Sequence, residues 1–143
     1  EAMGVVGVIT PDAPALLGLI SMVAPIIASG NSVVVKVSES NPYPAILLGE
    51  MLSTSDLPGG VVNLLTGFRE ELIPTFASHE HIRGISAAVV GADRKTLRLL
   101  GADSVKCVSF VNEKKNWYAD KAQDLYAIRD FVEFKTTWHP IGA

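Results

Sequence analysis

Gly30-Asn31-Ser32-Val33-Val34-Val35-Lys36-Val37-Ser38-Glu39 is the stretch that decides how this chain folds. Gly30-Asn31 reads as a helix stop. An unbroken β-branched run follows and closes on Lys36, with a second charge, Glu39, three positions on. Continuous valine suits a strand covered on both faces, which is a buried parallel strand. In open α/β sheets ligands bind outside the carboxyl ends of the strands, so Lys36 and Glu39 are the candidate site residues.

Working outward, Gly4 to Ile9 is an apolar run closed by Thr10-Pro11 and reads as a strand. Asp12 is the expected N-cap of a helix running through Ala28. Asn41-Pro42 opens a second helix, which continues from Ala45 to Leu52 until Asp56-Leu57-Pro58-Gly59-Gly60 breaks it. Val61 to Leu65 reads as a strand. Glu70 to Ala77 reads as a helix with an acidic first turn, despite Pro74. Ile82 to Ala88 is a weaker strand, Ala92 to Leu100 a helix with basic residues near its end, and Val105 to Val111 the fifth strand. Regular alternation predicts an α/β fold, a doubly wound parallel sheet with right-handed crossovers and helices on both faces.

After Asn112 the character changes, which divides the chain into residues 1–112 and 113–143. Glu113-Lys114-Lys115-Asn116 is a charged link, and Trp117 to Leu125 is a candidate for a short amphipathic helix. Phe131 to Thr136 alternates apolar with charged residues, as a strand with one wet and one buried face does. Phe131, Glu133 and Lys135 fall on one face, and Val132, Phe134 and Thr136 on the other, which is expected to be the buried one. Such an edge invites another chain to complete its ladder.

At 143 residues this is one domain's worth of chain. With 48% hydrophobic and 19% charged residues it is more apolar than a self-sufficient domain usually is, so part of its apolar surface is expected to belong to a partner. A net charge of −3 argues against nucleic acid or an anionic membrane as the main partner. The longest uncharged run, Ala13 to Ser29, falls short of the ~20 apolar residues of a membrane span and contains Pro25, so a buried helix is expected. A single cysteine excludes an internal disulfide and fits a reducing compartment. With no signal peptide visible at Glu1-Ala2, a cytoplasmic location is the expectation.

Ala24-Pro25, the run Ala28 to Lys36, Glu39, and then Leu57-Pro58-Gly59-Gly60-Val61-Val62-Asn63 and Gly67 together resemble the cofactor-binding domain of aldehyde dehydrogenases. The likeness runs from Gly4 to about Cys107. It implies a Rossmann-like fold in which, as in that family, Lys36 and Glu39 contact the adenosine ribose of NAD or NADP. Val37 stands where the family usually has proline.

The same resemblance finds the chemistry missing. Aldehyde oxidation through a covalent intermediate needs a thiolate, oxyanion donors, a hydride acceptor and a carboxylate to activate water. Pro11-Asp12-Ala13-Pro14 puts Ala13 on the family's oxyanion asparagine. Phe110-Val111-Asn112-Glu113 puts Phe110 on its general base, leaving Glu113 three residues out of register and expected as a solvated loop charge. Ala87-Ala88-Val89-Val90-Gly91 replaces the family's phosphate-cradling turn, where Val89 and Val90 would crowd a phosphate. The family's nucleophile lies in a separate domain inserted beyond this point. Cys107, mid-strand, is read instead as a small buried hydrophobe, so no catalytic residue is assigned. His79-Glu80-His81 is the only cluster with metal-ligand character; two histidines without further ligands read as a polar loop, and no metal is expected.

This pattern most resembles the truncated second domain of family 16 aldehyde dehydrogenases. It implies a non-catalytic, structural role in which the chain stands in for the neighbouring subunit of a dimer. Its partner would be an aldehyde dehydrogenase catalytic domain, in the same polypeptide or another subunit, and 131–136 would be the docking strand. In that reading the Lys36 and Glu39 cofactor contacts are vestigial. The alternative is a working NAD(P)-binding domain whose catalytic half lies outside this chain.

Overall fold

Five strands, β1 (Val5–Ile9), β2 (Ser32–Lys36), β3 (Val62–Leu65), β4 (Ile82–Ala87) and β5 (Cys107–Phe110), alternate with four helices, α1 (Ala15–Ala28), α2 (Tyr43–Ser53), α3 (Arg69–Ser78) and α4 (Gly91–Ala102). The computed structural model describes residues 1–122 and 124–139. All strand pairs are parallel, in the order β3-β2-β1-β4-β5. The doubly wound α/β sheet expected from the sequence is the one observed. The chain winds outward from β1 to β3, then α3 carries it back across to β4. The two halves therefore diverge between β1 and β4, the kind of switch point that opens a crevice at the carboxyl ends.

Successive strand side chains point to opposite faces, and here both faces are covered. Val6, Val8, Val33 and Val35 pack with Leu19, Met22, Val23 and Ile26 of α1. Ile9, Ile85 and Ala87 pack on the other side with Ile73 and Phe76 of α3 and Leu97 of α4. Lys36 pairs in register with Ile9 and so lies on the α3 side. α1 passes close to the chain leaving β1 because position 18 is glycine: a Cβ there would sit 2.5 Å from Pro11 Cγ. No described helix is long and apolar enough to cross a membrane.

Four expectations are corrected. Asp12 does not cap α1, which begins after Pro14 without a side-chain cap; its carboxylate is turned toward Glu39 instead. Trp117 to Leu125 is not one amphipathic helix but parts of two 3-10 segments, Asp120–Ala122 and Leu125–Phe131. The cause is local. Asn116 Oδ1 accepts from the Tyr118 N–H and Asp124 Oδ1 from the Tyr126 N–H, and such turns compete with a continuous helix.

Phe131 to Thr136 does not form a strand within this chain beyond a single antiparallel bridge, Val132 to Ala2, flanked by the Glu133 N–H donating to Glu1 O. Its faces also differ from expectation. Phe131, ending a 3-10 turn, is buried against the α1 core, whereas Phe134 is 81% exposed. Asn31 explains the pinning of Phe131. Its side-chain amide donates to Phe131 O at 2.8 Å while its Oδ1 accepts from the Gly4 N–H at 2.9 Å, so the residue read as a helix stop also ties the tail to the start of β1.

β5 begins at Cys107 rather than Val105 because residues 105 and 106 close α4. The Val105 N–H donates to Ala102 O and the Lys106 N–H to Gly101 O, the paired bonds of a Schellman closure. That closure places Val105 at φ 50, a left-handed conformation that costs an L-residue about 1–2 kcal/mol and a β-branched one at least as much. Val105 is 90% exposed, so little packing offsets it. Val105→Gly is expected to stabilise the chain by about 1 kcal/mol in urea unfolding; a destabilisation would show that the closure is not held in this form.

Candidate functional site

At the carboxyl end of the sheet, Lys36 is fully buried on the α3 side, with its Nζ 3.4 Å from Glu39 Oε2. A buried ammonium is tolerable only when paired, and the turn after β2 supplies the partner three residues later. The two residues singled out from the sequence are thus brought together. Glu39 Oε2 also accepts from the Arg69 backbone N–H at 2.8 Å. That N–H is the first of α3, where helix amides lack partners and a negative charge is favourable.

Asp12 and Arg69 complete the cluster. Asp12 Oδ1 accepts from the Glu39 N–H at 2.7 Å. The Arg69 guanidinium bridges Asp12 Oδ2 at 3.7 Å and Glu113 Oε1 at 3.0 Å. Four chain segments are therefore joined: the exit of β1, the turn after β2, the start of α3 and the stretch after β5. Glu113 is not the solvated loop charge expected of it, since Arg69 draws it inward. Two atoms of that guanidinium, Nε and one terminal nitrogen, are buried without a hydrogen-bond partner among the described residues.

Neither Asp12 nor Arg69 was picked out from the sequence as a site residue. A signal was present for Arg69, because a basic residue at the first position of a helix opposes the macrodipole and so marks a position held by something else. Asp12 was masked by its resemblance to an N-cap.

The remaining positions are placed as follows. Phe110 ends β5 and packs into the α3–α4 core, with the guanidinium groups of Arg94 and Arg98 at 4.9 and 5.1 Å from its ring. In the turn after β4, Val89 is fully buried and its carbonyl accepts from Arg94 Nε at 2.7 Å. Cys107 is exposed, not buried as expected, because it opens an edge strand rather than sitting within one. Three residues separate it from the carboxyl end of β5, about 10 Å at ~3.3 Å per residue. His79 and His81 lie with ring centroids 5.8 Å apart. Among the described residues no three His, Cys, Asp or Glu side chains converge on a point that could hold a metal.

What this arrangement can do chemically follows from its donors and acceptors. Both bonds to the Glu39 carboxylate fall on Oε2, and the side chain is 36% exposed, so Oε1 keeps the capacity to accept from a sugar hydroxyl. Burial pulls the Lys36 ammonium below its ordinary pKa, against the opposing charges of Glu39 and Asp12. Burial raises Asp12, but the Glu39 N–H and the charges of Arg69 and Lys36 outweigh it, leaving the carboxyl below its ordinary value.

Comparison with known proteins places this geometry. The model of the aldehyde dehydrogenase family matches residues 1–111. A 2-aminomuconic 6-semialdehyde dehydrogenase from a Pseudomonas species is 42% identical over 117 residues, which are 81% of this chain and 24% of that protein. Betaine aldehyde dehydrogenase of Hordeum vulgare is 38% identical over 109 residues, 76% of this chain and 22% of that one. Among solved structures, a mutant aldehyde dehydrogenase C from Pseudomonas syringae, in complex with NAD+ and octanal, superposes with a TM-score of 0.74 at 34% identity. The match covers 77% of this chain and 23% of that one. The chain thus spans about a quarter of the length of the curated relatives it matches.

The signs of the two pKa shifts give a test. Folded Asp12 holds its proton less tightly than unfolded Asp12, so its contribution is present above about pH 4 and is lost as pH falls through the lowered value. Lys36, also lowered, has the same sign at the alkaline end. Between its lowered value and about 10.4 the unfolded chain holds more protons, so stability rises with pH across that interval. Asp12→Asn is expected to cost about 1 kcal/mol at neutral pH, no more because the carboxylate is 41% exposed, and to flatten the acid limb of urea midpoint against pH. Lys36→Met is expected to flatten the alkaline rise. Unchanged limbs would show that the network contributes nothing.

Proposed function

The chain belongs to the aldehyde dehydrogenase family, and we propose that it serves there as a non-catalytic module. In this reading residues 1–112 keep the cofactor-domain fold and residues 113–143 form a linking and oligomerisation tail, as in the truncated second domain of family 16 members. The parent protein oxidises aldehydes with NAD or NADP, and this module braces its catalytic domain in place of a neighbouring subunit.

The observation that carries the reading is the carboxyl end of the sheet. Each place where the reaction needs a polar group is occupied by something else: Ala13 where an oxyanion donor belongs, the Phe110 ring where the general base belongs, and buried Val89 in the phosphate turn. Cys107, about 10 Å further down the edge strand, is out of reach of that end. The exposed apolar surface supports the bracing role. Leu16 and Ile20 of α1 and Ile46 and Leu47 of α2 are each more than 40% exposed, and Phe134 and Trp138 of the tail more than 80%. Single exposed apolar residues are ordinary, but many on one small chain point to a partner.

One observation favours a second reading, a working dinucleotide-binding domain. Lys36 and Glu39 are both present and adjacent, as the ribose site of that family requires.

Incubated with a short aldehyde and NAD, the chain is expected to yield no NADH; turnover that disappears in Cys107→Ser would overturn the non-catalytic assignment. Calorimetric titration with NAD is expected to show no binding in the micromolar range. Micromolar binding abolished by Lys36→Ala would establish the second reading. Added to an aldehyde dehydrogenase unit of its own parent, the module is expected to slow hydrogen exchange at the Phe134 amide, and an unchanged rate would remove the docking role.

A further inference from the structure

Asn31 stands where three parts of the chain meet: the end of α1, the segment entering β1 and the tail. It is 2% exposed. Its Oδ1 accepts from the Gly4 N–H at 2.9 Å, and its Nδ2 donates to Phe131 O and to Ser29 Oγ, each at 2.8 Å. The Ser29 hydroxyl in turn donates to Ile26 O at 2.7 Å. A buried amide engaged on both sides holds its geometry, because any departure leaves a donor or an acceptor without a partner. Beside it the Phe131 ring is buried in the α1 core. Backbone pairing holds the next two residues, since Glu1 and Glu133 exchange both bonds, each at 2.8 Å, and Ala2 lies opposite Val132.

Beyond Glu133 the hold ends. No backbone N–H or C=O of residues 134–139 pairs with a backbone group of the described residues, and the one side-chain tie is the ion pair of Lys135 with Glu1. Phe134 and Trp138 are exposed. The tail is thus a segment with a fixed root and an unpaired, apolar-bearing extension. Fixing the root sets the direction and register of the extension, so less freedom is lost when a partner strand pairs with it. On the docking role described above, we propose that Asn31 is the positioning residue of the docking strand. It acts through Phe131, without touching the partner, to present residues 134–136 for strand addition to the aldehyde dehydrogenase catalytic domain.

Ala2 and Val132 form the close, non-hydrogen-bonded pair of an antiparallel ladder, with Cα atoms about 4.5 Å apart, which is within disulfide range. In a Cys107→Ser background, Ala2→Cys combined with Val132→Cys therefore locks the root of the tail to the body when oxidised. Docking to the aldehyde dehydrogenase unit of the parent is titrated by calorimetry for each chain. Asn31→Ala is expected to dock about tenfold more weakly, the cost of ordering roughly one more residue on binding, and to exchange faster at the Val132 amide. The oxidised lock is expected to dock as tightly as the native chain, and to restore native affinity when added to Asn31→Ala. Damage elsewhere in the fold would not be repaired by a bond at the tail. The proposal is overturned if Asn31→Ala docks as tightly as the native chain, if the lock fails to restore it, or if the lock by itself abolishes docking, since the tail would then have to leave its seat to engage. Comparing the lock oxidised and reduced needs no change at Asn31 and decides the matter even if Asn31→Ala fails to fold. Absence of docking by the native chain is a different result: it removes the docking role itself, and the assignment of Asn31 with it.

Discussion

An ammonium group with no exposed surface, Lys36, is the constraint around which the carboxyl end of this sheet is built. Continuous valine drives β2 into the middle of the fold, and the lysine at its end is carried in with it. Its charge must be met within reach, and Glu39 meets it from the following turn at 3.4 Å. The same carboxylate caps the first amide of α3, so the position of that helix depends on the pair. Asp12 holds the turn through the Glu39 N–H, and Arg69 ties Asp12 to Glu113. One buried charge thereby organises four loops at the place where an open α/β sheet normally meets its ligand.

That organisation bears on function. A ribose-binding carboxylate must be free to accept from two hydroxyls, and a phosphate site needs small residues that let backbone amides approach. Here one oxygen of that carboxylate is held by Lys36 and the α3 N-terminus while the other is unengaged, but Val89 fills the turn after β4, and Arg94 occupies the Val89 carbonyl. The polar groups at this end serve one another.

Much of the architecture was legible because it follows from burial alone. A valine run bounded by Gly30-Asn31 and a charged end has one stable placement, and the alternation of strands with helical segments leaves few topologies. The tail was not legible in the same way. Asn116 and Asp124 break a helical pattern by capping turns with their own side chains, and Phe131 follows the bond from Asn31 rather than the period of its neighbours. At the site, Lys36 and Glu39 could be read from one stretch of sequence. Asp12, Arg69 and Glu113 come from segments far apart in the chain, and a charge cluster assembled by topology leaves little local signature. Cys107 was misjudged for a related reason, since whether a strand is central or at an edge depends on the order of the sheet.

The claim at the centre of this account is that Lys36 and Glu39 act as a structural unit. A double-mutant cycle of Lys36→Met, Glu39→Gln and the pair, read as unfolding free energy in urea, tests it most directly. The account predicts a coupling of about 1–2 kcal/mol, because removing Glu39 strands a fully buried ammonium, while Glu39 itself is 36% exposed and partly screened. Effects that add to within about 0.5 kcal/mol would contradict it, and would mean that each group finds its stability elsewhere.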